Sequence, residues 1–293
     1  MPVSPRPFDP AAAAAWWRSG TQPPWLHAEV ARRMAQRLEI IRAKPQRVLD
    51  WWSSRSGSLA LLQQAYPQAE LIAVEPDEAA RDAWLAAQRR PWWLPSRWGK
   101  SPRALSEAEA DGAGAQLLWA NMVLHWMADP AEMIRRWHRA LAVDGFTMFS
   151  CLGPDTAREL RALHARHGHG PAGAEFVDMH DLGDMLVHAG FADPVMDMER
   201  ITLTWSTPEA ALAELRTLGR NTHPQRHAGL RTPRWKRALM AQMQAPDPAR
   251  VAITFEIVYG HAFKGAPRAV AGGETRVSLQ DMRTMVRSSQ RPR

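Results

Sequence analysis

Short apolar segments alternate with helical patterns along the first half of this 293-residue chain, and this alternation constrains the fold more than any other feature. The segments that predict strands are Arg47–Trp52, Glu70–Glu75, Ala115–Asn121 and Phe146–Leu152. Alternating strands and helices form βαβ units, in which right-handed crossovers join parallel strands. The sequence therefore predicts an α/β protein with a Rossmann-like, mostly parallel central sheet.

Helical patterns fill the intervals between the strands and continue beyond them. They cover Trp25–Arg42, Ser58–Tyr66, a helix capped by Asp77 that runs to Gln88, Pro130–Leu141, Pro154–His167, Met179–Ala189 and Pro208–Leu218. Two later strands are predicted at Pro194–Trp205 and Val251–Phe263. Between Arg89 and Ala113 we predict only a short helical stretch around Leu105 and place no third strand.

These patterns divide the chain into three parts. Residues 1–45 are predicted to form a helical N-terminal segment, and residues 46–265 the α/β domain, with a helical insertion around 207–245. Residues 266–293 read as a polar C-terminal tail.

Charge and cysteine content indicate which kind of partner and which cellular compartment to expect. The chain has 37 Lys and Arg against 30 Asp and Glu, a net charge of +7, which favours an anionic partner. The basic residues are spread along the chain without a nucleic-acid-binding signature, so an arginine-rich surface is favoured and nucleic acid is not expected. No segment reaches the ~20 apolar residues of a membrane span, and the single Cys151 permits no internal disulfide. We therefore expect a cytoplasmic protein without a membrane partner.

Three polar side chains lie at predicted strand ends, where open parallel sheets bind ligands. They are Asp50, Glu75 and Asn121. Glu75 is placed where an acid can accept both hydroxyls of a nucleoside ribose. The alternative is that Glu75 favours the N-terminus of the helix that begins after Asp77.

Several segments resemble the malonyl-[acyl-carrier protein] O-methyltransferases of biotin synthesis, within the class I S-adenosylmethionine methyltransferases. The segments that carry the resemblance are Phe8–Asp9, Arg47–Asp50, Leu124–Trp126 with Asp129–Pro130, Phe149–Thr156 with Glu159–Arg161, Phe176–Asp184 and Tyr259–Lys264. The resemblance implies a class I methyltransferase fold with an antiparallel last strand and S-adenosylmethionine as cofactor. It places Asp50 near the methionine portion of the cofactor and Glu75 on the ribose. Asn121 and Leu124, His125 and Trp126 would line the methyl-transfer pocket.

The turn after Asp50 departs from the family pattern. Members have an Asp-x-Gly-x-Gly-x-Gly run there, whereas this chain has Trp51, Trp52, Ser53, Ser54, Arg55, Ser56 and Gly57. Trp52 takes the place of the first glycine, so we expect backbone strain. Either Trp52, Ser53 and Gly57 belong to a modified cofactor site, in which Ser53, Ser54 and Arg55 donate to the cofactor carboxylate, or the tryptophans fill the cleft as core. No acid that would contact adenine is recognised between Arg89 and Ala113.

Methyl transfer to a carboxylate needs no acid or base pair, so no catalytic residue is assigned. A zinc site at His164, His167 and His169 is disfavoured against a solvated loop, so no metal is expected. The densest group of basic residues either docks an acidic acyl-carrier protein or forms a solvated surface. It consists of Arg216, Arg220, Arg226, Arg231, Arg234, Lys236 and Arg237. The predicted function is S-adenosylmethionine-dependent O-methylation of a malonyl-carrier-protein-like acceptor. The alternatives are a catalytically degenerate binding or regulatory subunit and, on charge alone, an RNA methyltransferase.

Overall fold

Seven strands form one mixed sheet in this computed structural model, which describes residues 6–18, 22–88, 102–244, 246–247 and 249–266. The strands are β1 (Arg47–Trp51), β2 (Glu70–Glu75), β3 (Arg103–Ser106), β4 (Ala115–Asn121), β5 (Leu141–Leu152), β6 (Ala192–Trp205) and β7 (Val251–Phe263). Their order is β3-β2-β1-β4-β5-β7-β6, with parallel pairing from β3 to β5 and β7 antiparallel to both of its neighbours. The mostly parallel sheet with an antiparallel last strand is confirmed.

Helices connect the strands and supply the N-terminal segment and the insertion. They are α1 (Pro10–Arg18), α2 (Trp25–Gln36), α3 (Ser53–Ser56), α4 (Leu59–Ala65), α5 (Glu78–Ala87), α6 (Pro130–Ala140), α7 (Arg158–Arg166), α8 (Met179–His188), α9 (Pro208–Leu218) and α10 (Pro233–Gln244), with 3₁₀ turns at Arg37–Ile40 and Leu124–Trp126. The side chains of Asp77, Asp129 and Thr207 each accept from a backbone N–H three residues later, which satisfies a donor at the start of α5, α6 and α9. The caps predicted for Asp77 and Asp129 are present.

The core lies on both faces of the sheet. Successive side chains of a strand point to opposite faces. Leu118 and Ala120 of β4 accordingly join one buried cluster with Leu49, whereas Leu117 and Trp119 join a second with Val48. A parallel sheet covered on both faces leaves its carboxyl-end edge as the place where polar side chains can gather.

Two sequence predictions are corrected here. The helical stretch expected around Leu105 is the strand β3, because parallel pairing with β2 from Ile72–Arg103 to Glu75–Ser106 outweighs the weak local pattern. The helix expected over Trp25–Arg42 ends as an α-helix at Gln36 and continues only as a 3₁₀ turn to Ile40. The tail predicted at 266–293 lies outside the described residues from position 267 onward.

The Gly153–Thr156 segment leads from β5 to α7 and hydrogen-bonds to β7. The Gly153 N–H donates to the Glu256 carbonyl at 2.9 Å, and the Thr156 hydroxyl donates to the same carbonyl at 3.1 Å. A Cβ atom at Gly153 would lie 2.3 Å from the Glu256 carboxylate, so a larger residue there would require the Glu256 side chain to move. These contacts hold the segment after β5 against β7.

Candidate active site: an acidic edge and a basic cavity

Acidic side chains from three neighbouring strands meet at one edge of the sheet, which we call the acidic edge. Asp50 lies one residue before the end of β1, Glu75 ends β2, and Glu107 follows β3 directly. The Glu107 N–H donates to the Glu75 carbonyl at 2.9 Å, which holds the two segments together. Asn121 ends β4 beside them. Ligands bind at such an edge in open parallel sheets, so Asp50, Glu75 and Asn121 lie where the sequence predicted.

The turn after β1 keeps a left-handed backbone although it has no glycine at its start. Trp52 has φ 57° and ψ 49°, and Gly57 has φ 68°. A side chain in this conformation costs roughly 1–2 kcal/mol, so the expected strain at Trp52 is present. The Trp52 N–H donates to the Val74 carbonyl at 2.6 Å, which ties the turn to β2.

Asp50 is fully buried beneath this turn. Its Oδ2 accepts from the hydroxyls of Ser53 at 2.7 Å and Ser56 at 3.1 Å, while its Oδ1 has no hydrogen-bond partner among the described residues. Burial raises the pKa of Asp50 to about 7, and the two serine hydrogen bonds lower it in part. The carboxyl therefore holds its proton to near neutral pH.

Glu75 is also buried, and both of its carboxylate oxygens accept from Ser54. Oε1 accepts from the Ser54 N–H and Oε2 from the Ser54 hydroxyl, each at 2.9 Å. Burial raises the pKa of Glu75 to about 8, the Ser54 hydrogen bonds lower it, and the charge of Asp50 raises it further. Glu75 does not cap α5, because the side chain that accepts at the start of that helix is Asp77.

Glu107 binds both tryptophans of the turn. Its Oε1 accepts from Trp52 Nε1 at 2.7 Å and Trp51 Nε1 at 3.2 Å, and its Oε2 pairs with Arg136 at 2.6 Å. This residue corrects the prediction that no acid is recognisable between Arg89 and Ala113. The strand before it has only four residues and a weak sequence pattern, so it was not predicted. An acid directly after Leu105–Ser106 was the one sequence feature that indicated a strand end there.

Asn121 holds the turn and α2 together. Its Nδ2 donates to the carbonyls of Ser56 at 2.6 Å and His27 at 2.8 Å, and its Oδ1 accepts from the Ser150 hydroxyl at 2.7 Å. Each polar atom of the side chain thus has a partner within the chain. Its contribution in the described conformation is to position Ser56 relative to β5.

Aromatic rings and a buried guanidinium cover the turn from the N-terminal side. The Trp17 ring packs on Trp52 with centroids 4.5 Å apart. The Arg55 guanidinium lies 4.6 Å from the Trp16 ring centroid and donates to the carbonyls of Trp16 and Trp17, at 3.0 and 2.9 Å. Ser53, Ser54 and Arg55 therefore donate to groups of the chain itself, and both tryptophans are core: the exposed fraction is 0% for Trp51 and 9% for Trp52.

Arg6 fixes the 3₁₀ turn Leu124–Trp126. Its guanidinium donates to the carbonyls of Met127 at 2.8 Å and His125 at 2.5 Å. The Leu152 N–H donates weakly to His125 Nδ1 at 3.4 Å, which favours a proton on Nε2. Burial, with the nearby charge of His27 and Arg6, holds the pKa of His125 well below its usual value, so His125 is neutral. Sequence reasoning missed Arg6, because a lone arginine before a proline gives no signal of its contacts.

His125 and Trp126 border a cavity of about 440 Å³ between the sheet and the insertion, which we call the basic cavity. Apolar side chains form much of its wall: Leu152, Leu160, Phe176, Leu212, Leu215, Leu218, Trp235, Leu239 and Phe255. Five arginines also line it: Arg161, Arg216, Arg220, Arg226 and Arg231. The predicted pocket residues His125 and Trp126 thus lie at a cavity, while Leu124 is buried in the core.

Arg161 is the cavity cation with the most confined side chain. Its guanidinium donates to the carbonyls of Pro154 at 3.1 Å and Ala174 at 3.0 Å, and lies 5.2 Å from the Phe176 ring centroid. It forms no ion pair with a carboxylate among the described residues. Burial lowers the pKa of Arg161, and an arginine so placed is suited to an anionic ligand.

The fold is that of class I methyltransferases. The YcgJ protein of Bacillus subtilis matches 81% of this chain and 99% of its own, with a TM-score of 0.52 and 12% identity. A protein of Bacillus halodurans matches 80% of this chain and 100% of its own, also with a TM-score of 0.52. At such identity the likeness shows the fold alone.

Sequence comparison identifies the family. No family model matches the chain. A malonyl-[acyl-carrier protein] O-methyltransferase of Laribacter hongkongensis is 37% identical over 253 residues, which cover 83% of this chain and 84% of that protein. One of Gallionella capsiferriformans is 37% identical over 254 residues, covering 85% and 87%. The chain belongs to the malonyl-[acyl-carrier protein] O-methyltransferase family, which confirms the resemblance seen in the sequence.

Among the residues that the structure describes, no helix is long and apolar enough to cross a membrane.

Proposed function

We propose that this protein is an S-adenosylmethionine-dependent O-methyltransferase that esterifies the free carboxylate of a malonyl group on an acyl-carrier protein, in biotin synthesis. Family membership supports this proposal, and the observation that carries it is the basic cavity, which begins at His125 and Trp126 next to the carboxyl end of β4. A cytoplasmic location is part of the proposal. The relatives give no support to the alternative of a degenerate binding subunit.

The acids of the acidic edge offer the hydrogen-bond acceptors that the nucleoside of the cofactor needs. Carboxyl oxygens accept hydrogen bonds, and the ribose hydroxyls and adenine amine are donors. Glu75 and Glu107 stand at the ends of adjacent strands, as a nucleoside that spans them requires. In the described conformation their acceptors are taken by Ser54 and Trp52, so the cofactor has to displace those donors.

The cofactor supplies an electrophilic methyl group on a sulfonium. The chain has to hold the acceptor carboxylate in line, without a general acid or base, because a carboxylate is already a nucleophile. Neutral His125 cannot protonate the carboxylate and offers only a hydrogen bond. The apolar wall of the basic cavity excludes water from the acyl chain and thereby favours transfer to the carboxylate.

Arg161 is the residue we assign to the malonyl carboxylate. Its guanidinium stacks on Phe176, which in turn packs against His125 with ring centroids 6.0 Å apart. Through these two contacts Arg161 is linked to the residues at the end of β4. A malonyl group differs from an acetyl group by its free carboxylate, so a cation that forms no ion pair within the described residues favours the malonyl form.

The outer surface of the insertion is the docking face we assign to the carrier protein. Arg234, Lys236 and Arg237 are exposed there and form no ion pairs among the described residues. Arg216 and Arg220 are exposed as well and also line the basic cavity. Arg226 is partly buried and pairs with Asp9 at 2.6 Å, so it holds the N-terminal segment and contributes less to docking. Leu230 is 99% exposed in the same segment. Exposed cations in the same insertion as an exposed apolar side chain suit an acidic partner.

The test is methyl transfer by the purified protein from S-adenosylmethionine to malonyl-acyl-carrier protein. We expect the acceptor to gain the mass of one methyl group, and acetyl-acyl-carrier protein, which lacks the free carboxylate, to remain unchanged. Growth of a strain that lacks the biotin-pathway methyltransferase is the matching test in cells. Absence of both product and growth would show that the proposed function is wrong.

A further inference from the structure

The turn after β1 satisfies the acids of the acidic edge with donors of its own. Ser54 gives two hydrogen bonds to Glu75, and Trp52 gives one to Glu107, with donor–acceptor distances between 2.7 and 2.9 Å. A strained left-handed conformation at Trp52 accompanies this arrangement. The turn therefore keeps these contacts at a conformational cost.

The donors of Trp52 and Ser54 resemble those of an adenosine in type and number. An indole is a flat bicyclic ring with an N–H on its edge, as an adenine is with its amine. Ser54 presents a hydroxyl and an amide N–H to the two oxygens of one carboxylate, as a ribose presents its two vicinal hydroxyls. The Trp17 ring packs against the Trp52 indole, with centroids 4.5 Å apart and ring planes tilted by 55°, so an aromatic surface borders this position.

The turn is also fastened to the segment that precedes it. Arg55 donates to the carbonyls of Trp16, Trp17 and Gln22, at 2.9 to 3.2 Å. Trp16 and Trp17 belong to α1, so the turn and α1 form one packed unit over the strand ends. A ligand that takes Glu75 and Glu107 has to move Trp52 and Ser54 together, because both lie on the same short turn.

We propose that Trp52 and Ser54 are internal competitors of the cofactor: they occupy the acceptors of its nucleoside, and binding requires that the turn is released from Glu75 and Glu107. This inference rests on the proposed function, because it takes an adenosine as the ligand of the acidic edge. The apparent affinity for the cofactor is then the intrinsic affinity reduced by the fraction of molecules with an open turn.

The test compares variants of the turn in the full-length protein. The affinity for S-adenosylhomocysteine is measured by calorimetric titration for the wild type, Trp52→Gly and Ser54→Ala. Trp52→Gly removes the indole and places glycine where the backbone is left-handed, so we expect affinity to rise roughly tenfold or more. Ser54→Ala removes only the hydroxyl donor to Glu75, so we expect a rise of roughly fivefold.

A control variant separates release of the turn from general loosening. Trp84→Ala in α5 removes an indole that is as buried as Trp52, at 9% exposure, and has no hydrogen bond to the acids. We expect its affinity to equal that of the wild type. Hydrogen exchange gives a second measurement, because the Ser54 amide is bonded to Glu75 and should exchange faster once the ligand is bound.

The outcomes distinguish this inference from the proposed function. Equal affinity of the wild type and both turn variants, or tighter binding by the wild type, overturns the internal competition and leaves the methyltransferase proposal intact. Slower exchange of the Ser54 amide in the complex also overturns it. If no variant binds S-adenosylhomocysteine, the proposed function fails and the internal competition fails with it.

Discussion

The acidic edge and the basic cavity differ in how their charged groups are partnered. At the acidic edge, the described contacts of Glu75 and Glu107 go to Ser54, both tryptophans and Arg136. In the basic cavity, Arg161 is held by carbonyls and a ring and forms no ion pair among the described residues, although the charges of Glu175 and Asp155 act on it from a distance. The first region has the partners of a folded core, and the second has the unpaired charge of a binding site. Substitution of these acids should therefore change the stability of the protein, and substitution of Arg161 should change the affinity for the acceptor.

The largest effect is expected from Glu75 and its dependence on pH. The folded pKa of about 8 exceeds the ordinary value of 4.5, so the folded state holds this proton more tightly. The wild type should therefore lose stability as pH rises from about 4.5 to 8, by an amount on the order of 5 kcal/mol. Glu75→Gln removes this loss. Its free energy of unfolding relative to the wild type should rise across that window, measured by urea titration at pH 5, 7 and 9.

A constant difference between Glu75→Gln and the wild type at all three pH values would contradict the buried, protonated state of Glu75. Taking the difference cancels the titration of other carboxyls. Among these carboxyls, the pKa of Asp50 is raised like that of Glu75. The pKa values of Glu29 and Glu109 are lowered to about 2 by arginines and backbone contacts, so these two groups affect stability only at lower pH.

The next largest effect is a loss of stability on removal of the Glu107 carboxylate. Glu107→Ala leaves the N–H groups of Trp51 and Trp52 and the charge of Arg136 without their acceptor. The cost is expected to be about 2–3 kcal/mol of unfolding free energy. Glu107→Gln keeps one acceptor oxygen for the indoles, so it is the control that should cost less. Equal stability of Glu107→Ala and the wild type would show that these contacts do not hold the turn.

Features that depend on neighbouring residues could be predicted from the sequence, whereas contacts between distant residues could not. The strands, the caps at Asp77 and Asp129, and the positions of Asp50, Glu75 and Asn121 follow from local periodicity and from strand ends, which a single chain displays. Glu107 was missed, because β3 has only four residues and its existence depends on pairing with β2. The Ser54 contacts with Glu75 and the Arg6 contacts with the 3₁₀ turn join residues 21 and about 120 positions apart, and no pattern records such pairs.

A smaller effect, on catalysis alone, is expected at Arg161. Arg161→Met removes the charge but keeps the apolar stem against Phe176, so kcat/KM for malonyl-acyl-carrier protein should fall roughly thirtyfold, about 2 kcal/mol, with little change in Tm. Arg166→Met, an exposed residue of the same helix, is the control. A large loss of Tm without a change in KM would assign Arg161 to structure, through its carbonyl contacts with Pro154 and Ala174.

The smallest effect is expected at the docking face, where the charges are exposed and screened by salt. Reversal of one exposed cation that does not line the basic cavity, by Arg234→Glu, should raise KM for malonyl-acyl-carrier protein roughly fivefold at low salt and leave kcat unchanged. Malonyl-coenzyme A carries the acyl thioester without the acidic protein, so its KM should change much less. Arg42→Glu, an exposed cation outside the insertion, provides the control for net charge. If both substitutions raise KM equally, the overall charge of the protein attracts the carrier and the insertion is not its docking face.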